Sequence, residues 1–262
     1  MSRARSVLRE VWPRLAAIAI LVAIWQLVYQ SGFFDKVVLP SPLQVWRALG
    51  HDLGNGVIWR NTESSIVRLL IGFTVSVAAG TVFGLLEVAS SFFERSFGSL
   101  VVGLQSLPSI AWLPLAVLWF GLSEQAVLFV VIIGSFPAVA LATMNSVRQV
   151  PPLLQRAGRT MGASGWRLYR HVVLPAAIPG YVGGMQQGWA FAWRSLMAGE
   201  LIIASANGLG GLLTRSQQNL ETPTVIAVMA VIVIIGMFVD LAVFGTLDNR
   251  IRSRRGLLVH QG

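Results

Sequence analysis

Among the charged residues within the apolar runs of this chain, four stand out as candidates for chemistry: Glu87, Arg194, Glu200 and Asp240. A charged side chain is costly in lipid, so such residues usually face a protein interior or a wet cavity. The guanidinium of Arg194 could bind a sulfonate or carboxylate through paired, charge-assisted hydrogen bonds. The competing interpretation is a structural ion pair between Arg194 and a carboxylate on another helix.

Arg194 and Glu200 are six residues apart in the sequence. At roughly 100 degrees per residue, their side chains point about 120 degrees apart on a straight helix, which predicts that they do not pair directly. Together with Trp193 they are candidates for lining a passage through the membrane. Glu87 and Asp240 are predicted to lie near the cytoplasmic ends of their helices, as end anchors.

No constellation of residues for catalysis or metal binding is evident. His51, His171 and His260 are scattered, and the chain has no cysteine, which excludes thiolate metal sites and disulfides. A P-loop needs a lysine before Ser or Thr to hold phosphate and magnesium, but the only lysine, Lys36, follows Asp35. The sequence therefore predicts a protein that is not an enzyme, with no bound metal or cofactor.

Composition indicates that lipid is the solvent for much of the chain. Of 262 residues, 55% are hydrophobic and 12% are charged, where soluble domains carry about 25% charged residues. The net charge of +9 could suggest nucleic-acid binding. However, the arginines fall mostly in short segments beside apolar runs, which is a signal of membrane topology and predicts no nucleic-acid partner.

The apolar runs predict an all-α integral membrane protein with about six transmembrane helices. A bilayer crossing needs about 20 apolar residues, and an interruption by proline is tolerated when neighbouring helices satisfy the freed carbonyls. The first run could also be a signal peptide, but its length and the absence of a small-x-small cleavage site favour a helix. The runs cover residues 15–29, 66–89, 97–120 (with Pro108 and Pro114), 126–144, 176–204 and 224–247.

Six spans place both termini on one side, and the distribution of positive charge decides which side. One set of loops and the termini contain fourteen of the Lys and Arg residues, whereas the opposite loops contain four. Since cytoplasmic segments are enriched in Lys and Arg, both termini are predicted to be cytoplasmic. The domains are then a cytoplasmic segment 1–14, a membrane domain 15–247 and a basic cytoplasmic tail 248–262.

The loop 147–175 is polar, rich in arginine and too interrupted to cross lipid. Pro151 and Pro152 are predicted to start a helix that Gly162 ends in a left-handed turn. Ser164 can cap a second short helix, which Pro175 limits before the next span. The product is a compact helix-turn-helix knob (residues 150–175) on the cytoplasmic side.

The knob resembles the EAA loop of permease subunits of binding-protein-dependent ABC importers, in which Gly follows EAA after three residues and I-x-L-P after nine more. Gly162 takes the glycine position, and 172–175 (VVLP) takes the closing element. The opening triplet is Arg156-Ala157-Gly158, so Arg replaces the acidic residue. That difference puts in doubt any salt bridge made by the usual Glu.

The resemblance covers nearly the whole chain. The chain is similar to the permease group that serves aliphatic sulfonates, taurine, nitrate or bicarbonate, some relatives of which carry thiamine precursors. It rests also on three further stretches: 39–42 (LPSP), 111–121 with AWLP and LWFG, and 192–200 with AWR and GE. It implies the type I ABC importer permease fold, a bacterial inner-membrane location and a small anionic or zwitterionic solute. A thiamine-precursor-like solute is the alternative.

The resemblance also implies the partners. Two copies pair in the membrane, an extracytoplasmic binding protein delivers the solute, and each knob enters a groove on a cytoplasmic ATPase that binds ATP and Mg. The residues implied in coupling to the ATPase are Arg156, Ala157, Gly158, Gly162, Ala163, Ser164, Leu174 and Pro175.

Glycines at spacing four predict close helix packing. Gly180, Gly184 and Gly188 form one such face and Gly80 and Gly84 another, but the partner helix could lie in this chain or in a second copy. In the outer loop, Ser41 and Pro42 predict the start of a surface helix, which either packs on neighbouring spans or receives a partner.

Two rival classes stay open. A self-sufficient secondary transporter would need its own coupling residues and often two related halves, and no convincing internal repeat is visible. A membrane enzyme would need a reactive constellation.

Overall fold

The computed structural model describes residues 2–203 and 207–254. Every regular element in these two ranges is helical, and neither range contains a strand. The α-helices are α1 (Ser2–Ser31), α2 (Pro42–Gly54), α3 (Val57–Ala89), α4 (Ser91–Ser106), α5 (Leu113–Phe120), α6 (Glu124–Arg148), α7 (Pro152–Thr160), α8 (Gly165–Leu168), α9 (Leu174–Ile202), α10 (Leu209–Gln218), α11 (Thr222–Phe238) and α12 (Thr246–Arg254). A 3-10 turn (Ser109–Trp112) precedes α5, and π-helical segments (Tyr169–Val173 and Val239–Gly245) precede α9 and α12.

The core is built around α6, which lies between α3 and α9. On the α3 side, a Cβ added at Gly84 would overlap the carbonyl oxygen of Ala140, and one added at Gly80 would lie 2.8 Å from Cβ of Val139. The absence of side chains at these glycines lets the two backbones approach closely.

On the α9 side, the glycine ladder packs against the same helix. A Cβ at Gly184 would overlap Ala142, and one at Gly188 would lie 2.9 Å from Cγ2 of Val139. Gly180 lies opposite Ser146, 3.2 Å from its Cβ by the same measure. The helix that the ladder contacts in the structure therefore belongs to the same chain.

These contacts also give the directions of the three helices. Glu124, at the start of α6, contacts Arg68 in the first half of α3, and Ala140, further along α6, lies beside Gly84 near the end of α3. Hence α3 and α6 are parallel. The contacts between α9 and α6 run in the opposite order, so α9 is antiparallel to both. We call the three packed helices α3, α6 and α9 the block. Its two ends are named outer and cytoplasmic, following the predicted topology.

Because α3 and α6 are parallel, the chain between them must return from the cytoplasmic to the outer end. It does so through α4 and the stretch Ser109–Phe120, which are bent by 101° relative to each other. The bend follows Leu107, where Pro108 stops the helix. The sequence prediction of one interrupted crossing agrees with this path.

Three helical stretches in the described residues are each long and apolar enough to cross a membrane: Val57–Ala89, Glu124–Arg148 and Thr222–Ile251. The bent pair makes a fourth. The 29-residue α9 runs alongside α6 and so crosses the same layer. The all-α membrane fold is confirmed, whereas the number of six spans and the side of the termini stay predictions.

The outer surface carries α2, which begins as the sequence predicts. The hydroxyl of Ser41 accepts a hydrogen bond from the Gln44 backbone N–H at 3.3 Å, and the Gln44 side chain accepts one from the Ser41 backbone N–H at 2.8 Å. This reciprocal capping fixes the start of the helix. The helix packs on α11 and α3, while the Trp46 side chain is 72% exposed.

We expect the close packing at Gly84 to be essential for a folded block. Gly84→Ala places a methyl group against the Ala140 backbone and should destabilise the protein by about 1–3 kcal/mol, as other overpacked cores do. Thermal unfolding of the purified protein in detergent measures the effect.

The matched control is Gly50→Ala in α2, where an added Cβ meets nothing within 4 Å. Alanine is favoured over glycine in an exposed helix by about 1 kcal/mol, so this variant should unfold no earlier than the wild type. Equal behaviour of the two variants would contradict the packing described above.

Candidate functional site

The knob has the turn that the sequence predicts. After α7, Gly162 adopts a left-handed φ of +86°, and its backbone N–H donates to the Arg159 carbonyl at 3.0 Å. The N–H of Ala163 donates to the Gly158 carbonyl at 3.0 Å, which closes the end of the helix. Ser164 then precedes α8 as its N-cap residue, although its side chain makes no capping hydrogen bond.

The second half of the knob differs from the prediction. Pro175 was expected to separate the second knob helix from the next span, but α8 continues through the π-helical segment into α9. Pro175 lies in the first turn of α9. The wider π-helical turn before Pro175 gives its ring room. The knob is thus continuous with a membrane helix.

A small apolar core holds the base of the knob to the ends of α6 and α9. It consists of Val147, Val150, Leu168, Val173 and Ala177. Gly158 is buried in α7, where an added Cβ would lie 2.8 Å from Cδ1 of Leu168 and 3.0 Å from Cγ2 of Val172. The third residue of the triplet is therefore small because α7 and the π-helical segment touch there.

The exposed face of the knob carries both apolar and positively charged side chains. The side chains of Leu153, Met161 and Trp166 are 74%, 80% and 71% exposed. Arg156, Arg159, Arg167 and Arg170 of the knob are also exposed, and no acidic residue occurs from 149 to 175. Exposed apolar groups ringed by polar residues mark sites of protein interaction.

At the opposite end of the block, Arg68 and Glu200 form a buried ion pair. Nη1 of Arg68 lies 2.8 Å from Oε1 of Glu200, and the two side chains are 6% and 0% exposed. Nη2 of Arg68 also lies 2.7 Å from Oε1 of Glu124, whose side chain is 66% exposed. Glu200 therefore pairs across helices and not with Arg194, as the spacing of the latter two predicts.

The same carboxylate holds the start of α10. Oε2 of Glu200 accepts hydrogen bonds from the Gly210 N–H at 3.0 Å and from the Ser65 hydroxyl at 2.8 Å. Ser65 in turn accepts from the Leu209 N–H at 2.9 Å, and Arg68 donates to the Asn207 carbonyl. The free N–H groups of a helix start favour a negative charge, so this arrangement fixes α10 on α3 and α9.

Sequence reasoning placed Arg68 in a span but gave it no role. Two signals were available: Asn61, Ser65 and Arg68 recur on one face of a helix that is otherwise largely apolar, and a buried cation requires a partner. The sequence makes Glu200 a candidate for lining a passage, whereas the structure places it in this buried network and not in an open cavity.

Arg194 and Trp193 lie at a different place, on the side of α9 that faces α11. Nε of Arg194 donates to the Ala190 carbonyl at 3.0 Å, and its guanidinium lies 4.8 Å from the ring centroid of Phe191. Arg194 is exposed, whereas Trp193 is 9% exposed. Both line a cavity of about 350 Å³ between α9 and the end of α11.

The two predicted end anchors behave differently from each other. Glu87 does lie near the cytoplasmic end of α3, but its carboxyl group is buried, and the nearby Arg148 pairs with Glu94 at 2.7 Å. Asp240 accepts a hydrogen bond from Gln186 at 2.7 Å. Gln186 lies twelve residues, or roughly 18 Å, along α9 from its first residue, so Asp240 bonds to a neighbouring helix, and its place near the cytoplasmic end of its span stays a prediction.

Within the described residues, no group of three or more His, Cys, Asp or Glu side chains could hold a metal ion.

Comparison with known proteins decides the class. The model of the family "Binding-protein-dependent transport system inner membrane component" matches residues 72–253. The chain belongs to this family. It is therefore a multi-pass inner-membrane permease subunit of an ABC transport system, and as such it is not an enzyme.

Relatives of this permease extend over most of its length. A protein of Escherichia coli strain K12 named as an aliphatic sulfonates transport permease is 31% identical, covering 85% of this chain and 84% of its own. The taurine transport system permease of the same organism is 28% identical, with 89% and 86% covered. The riboflavin transport system permease of Chloroflexus aurantiacus is 28% identical, with 89% and 88% covered.

The fold is also that of solved transporters. The permease matches a chain of the MetNI methionine ABC transporter in an inward-facing conformation with a TM-score of 0.63 and 19% identity, covering 74% of this chain and 96% of that one. The predicted ABC permease fold is thereby confirmed.

The buried network should contribute strongly to stability. Arg68→Leu leaves the Glu200 carboxylate buried without its counter-charge, which typically costs about 3–5 kcal/mol. We expect a large decrease in the thermal unfolding temperature in detergent.

Arg194→Leu is the matched control. It also removes an arginine from a span, but Arg194 is exposed and makes no ion pair among the described residues. It should unfold close to the wild-type temperature. If Arg68→Leu were equally mild, the network would not be the stabilising element assigned here.

Proposed function

We propose that this permease carries a small anionic or zwitterionic solute into the cell, driven by ATP hydrolysis on a separate chain. An aliphatic sulfonate or taurine is the favoured solute, and nitrate or bicarbonate is the next candidate. ATP and Mg are then bound by that partner and not by this chain. The observation that carries the proposal is the knob, with its exposed Leu153, Met161 and Trp166 and its exposed arginines.

The chemistry of the knob fits a groove on another protein. Aromatic residues, Met and Arg are enriched at protein interfaces, and buried aromatic anchors provide much of the binding energy. Trp166 and Met161 are the candidates for anchors. Arg156, at the position where the family has an acidic residue, requires a partner surface that is acidic or neutral at that point.

The attachment of the knob explains how it would transmit motion. Its second half runs directly into α9 through the π-helical segment, and its base packs on the ends of α6 and α9. Displacement of the knob by closure of the ATPase would therefore move α6 and α9 together, with α3 held to α6 by the contacts of Gly80 and Gly84.

A second copy of the permease belongs to the proposal. Two copies would form one passage between them, and each of the two knobs would bind one ATPase subunit. In the single chain, α1 has exposed apolar side chains such as Leu21 and Leu27, which are 67% and 64% exposed. In this arrangement residues 15–247 form the membrane domain, and residues 1–14 and 248–262 are cytoplasmic. Residues 255–262 of the tail lie outside the described residues.

The solute class is supported by charge and by relatives. Arg194 is a cation inside a span, as binding of an oxyanion requires, and the names of two relatives above mention sulfonates and taurine. A third relative is named for riboflavin, so a larger organic solute such as a thiamine precursor is the alternative. A self-sufficient transporter is the other alternative, and it would take up solute without ATP.

Substitution at Gly162 tests the coupling. Gly162→Val forces a β-branched residue into the left-handed region, which is a strained conformation, and should disturb the turn between the two knob helices. In proteoliposomes with the ATPase and the binding protein, we expect solute uptake per ATP hydrolysed to fall at least about fivefold.

Gly162→Asn is the control, because asparagine tolerates the left-handed conformation, and it should keep most of the coupling. Normal coupling in Gly162→Val would contradict docking through the knob. Uptake by the purified chain alone, without ATP or an ATPase, would contradict the whole proposal and favour the self-sufficient transporter.

A further inference from the structure

The cavity between α9 and the end of α11 contains two opposite charges that do not touch. It has a volume of about 350 Å³ and is lined by Trp189, Ala190, Trp193, Arg194, Gly236, Met237 and Asp240. No ion pair joins Arg194 to Asp240 within the described residues. Gln186, which binds Asp240, is eight residues from Arg194 on α9, or roughly 12 Å along the axis.

The guanidinium of Arg194 is oriented but not neutralised. Its Nε donates to the carbonyl of Ala190, one turn back towards Asp240, and its charge lies over the ring of Phe191. Arginine has five N–H donors, so the terminal amino groups can bind an oxyanion with two parallel hydrogen bonds.

Asp240 is held in a similar way. Oδ1 accepts a hydrogen bond from the Gln186 side chain at 2.7 Å, which orients the carboxylate without cancelling its charge. The residue lies in the π-helical segment Val239–Gly245, and π-helical turns inside helices are frequent at functional sites. A carboxylate at this depth in a membrane calls for a cation.

Trp189 contributes its ring, and not its indole nitrogen, to the wall of the cavity. Its indole nitrogen is buried and makes no hydrogen bond with any described residue, although buried Trp N–H groups usually have a partner. The residue lines the same cavity, and its ring is held edge-to-face by Phe73 at a centroid distance of 5.4 Å.

We propose that this cavity is a binding site for the transported solute and that the solute is zwitterionic, with its oxyanion on Arg194 and its ammonium group on Asp240. The site rests on the proposed function, in that the permease carries solutes of this charge class. The rings of Trp189 and Trp193 form a wall for the short alkyl linker and can stabilise the ammonium. The volume lies in the usual range for small-molecule sites. A simple anion such as nitrate would satisfy only one of the two poles.

Two probes that differ in one group test the inference. Taurine and propane-1-sulfonate have nearly the same shape and the same sulfonate, but a methyl group replaces the ammonium in the second. The full chain is purified with its ATPase partner and reconstituted in lipid nanodiscs, and binding is followed by calorimetry and by the fluorescence of the tryptophans. The wild type should bind taurine at least about tenfold more tightly, as expected for one charge-assisted contact.

Each charge then has its own signature. Asp240→Asn should weaken taurine about tenfold, leave propane-1-sulfonate within twofold and so abolish the preference, whereas Asp240→Glu should retain part of it. Arg194→Gln should weaken both probes about tenfold or more. The controls are Glu63→Gln and Arg47→Gln, which change exposed residues outside the cavity and should bind both probes as the wild type does.

Several results would overturn the inference: no saturable taurine binding, equal affinity for the two probes, or a taurine preference that survives Asp240→Asn. The thermal unfolding of each variant is measured in the same nanodiscs, and if Asp240→Asn does not fold, the wild-type preference and Asp240→Glu decide the question. Failure here is distinct from failure of the proposed function, because coupling through Gly162 is measured without reference to this cavity. A coupled importer without a taurine preference would refute the site alone.

Discussion

The close approach of α3 and α9 to α6 is the constraint on which the rest of the structure depends. Small residues on the two flanking helices, above all Gly84 and Gly184, leave no room for a side chain between the backbones. In lipid, apolar surface gives little driving force for association, so packing of this kind holds helices together. The three helices therefore form one block, and the functional elements are attached to its ends.

Each end of the block carries a different kind of interaction. At the cytoplasmic end, a small apolar core fixes the knob, whose apolar and basic side chains stay exposed. At the outer end, the Arg68 and Glu200 pair fixes the start of α10. Between them, on the side of α9 away from the glycine ladder, Arg194 and Asp240 face a cavity. The knob, the cavity and the outer network thus all adjoin the same three packed helices.

Local signals in the sequence predicted much of this arrangement. The turn at Gly162 and the capping at Ser41 follow from rules that involve neighbouring residues only, and both are present. The hydrogen-bond partners of Asp240 and Glu200 could not be obtained in the same way. They depend on the register between helices far apart in the chain, and a single sequence contains no measure of that register. The continuity of the knob with α9 was missed because Pro175 usually ends a helix, while the π-helical turn before it leaves no clear sequence signal.

Docking of the knob onto an ATPase is the central claim, and site-specific photocrosslinking in intact cells tests it most directly. A photoreactive amino acid replaces Trp166 on the knob or Trp46 on the outer helix α2, two tryptophans of nearly equal exposure at opposite ends of the block, 71% and 72%. The account predicts a covalent adduct with an ATP-hydrolysing subunit from position 166 and none from position 46. An active importer that gives no such adduct from position 166, or gives it equally from both positions, would contradict the account.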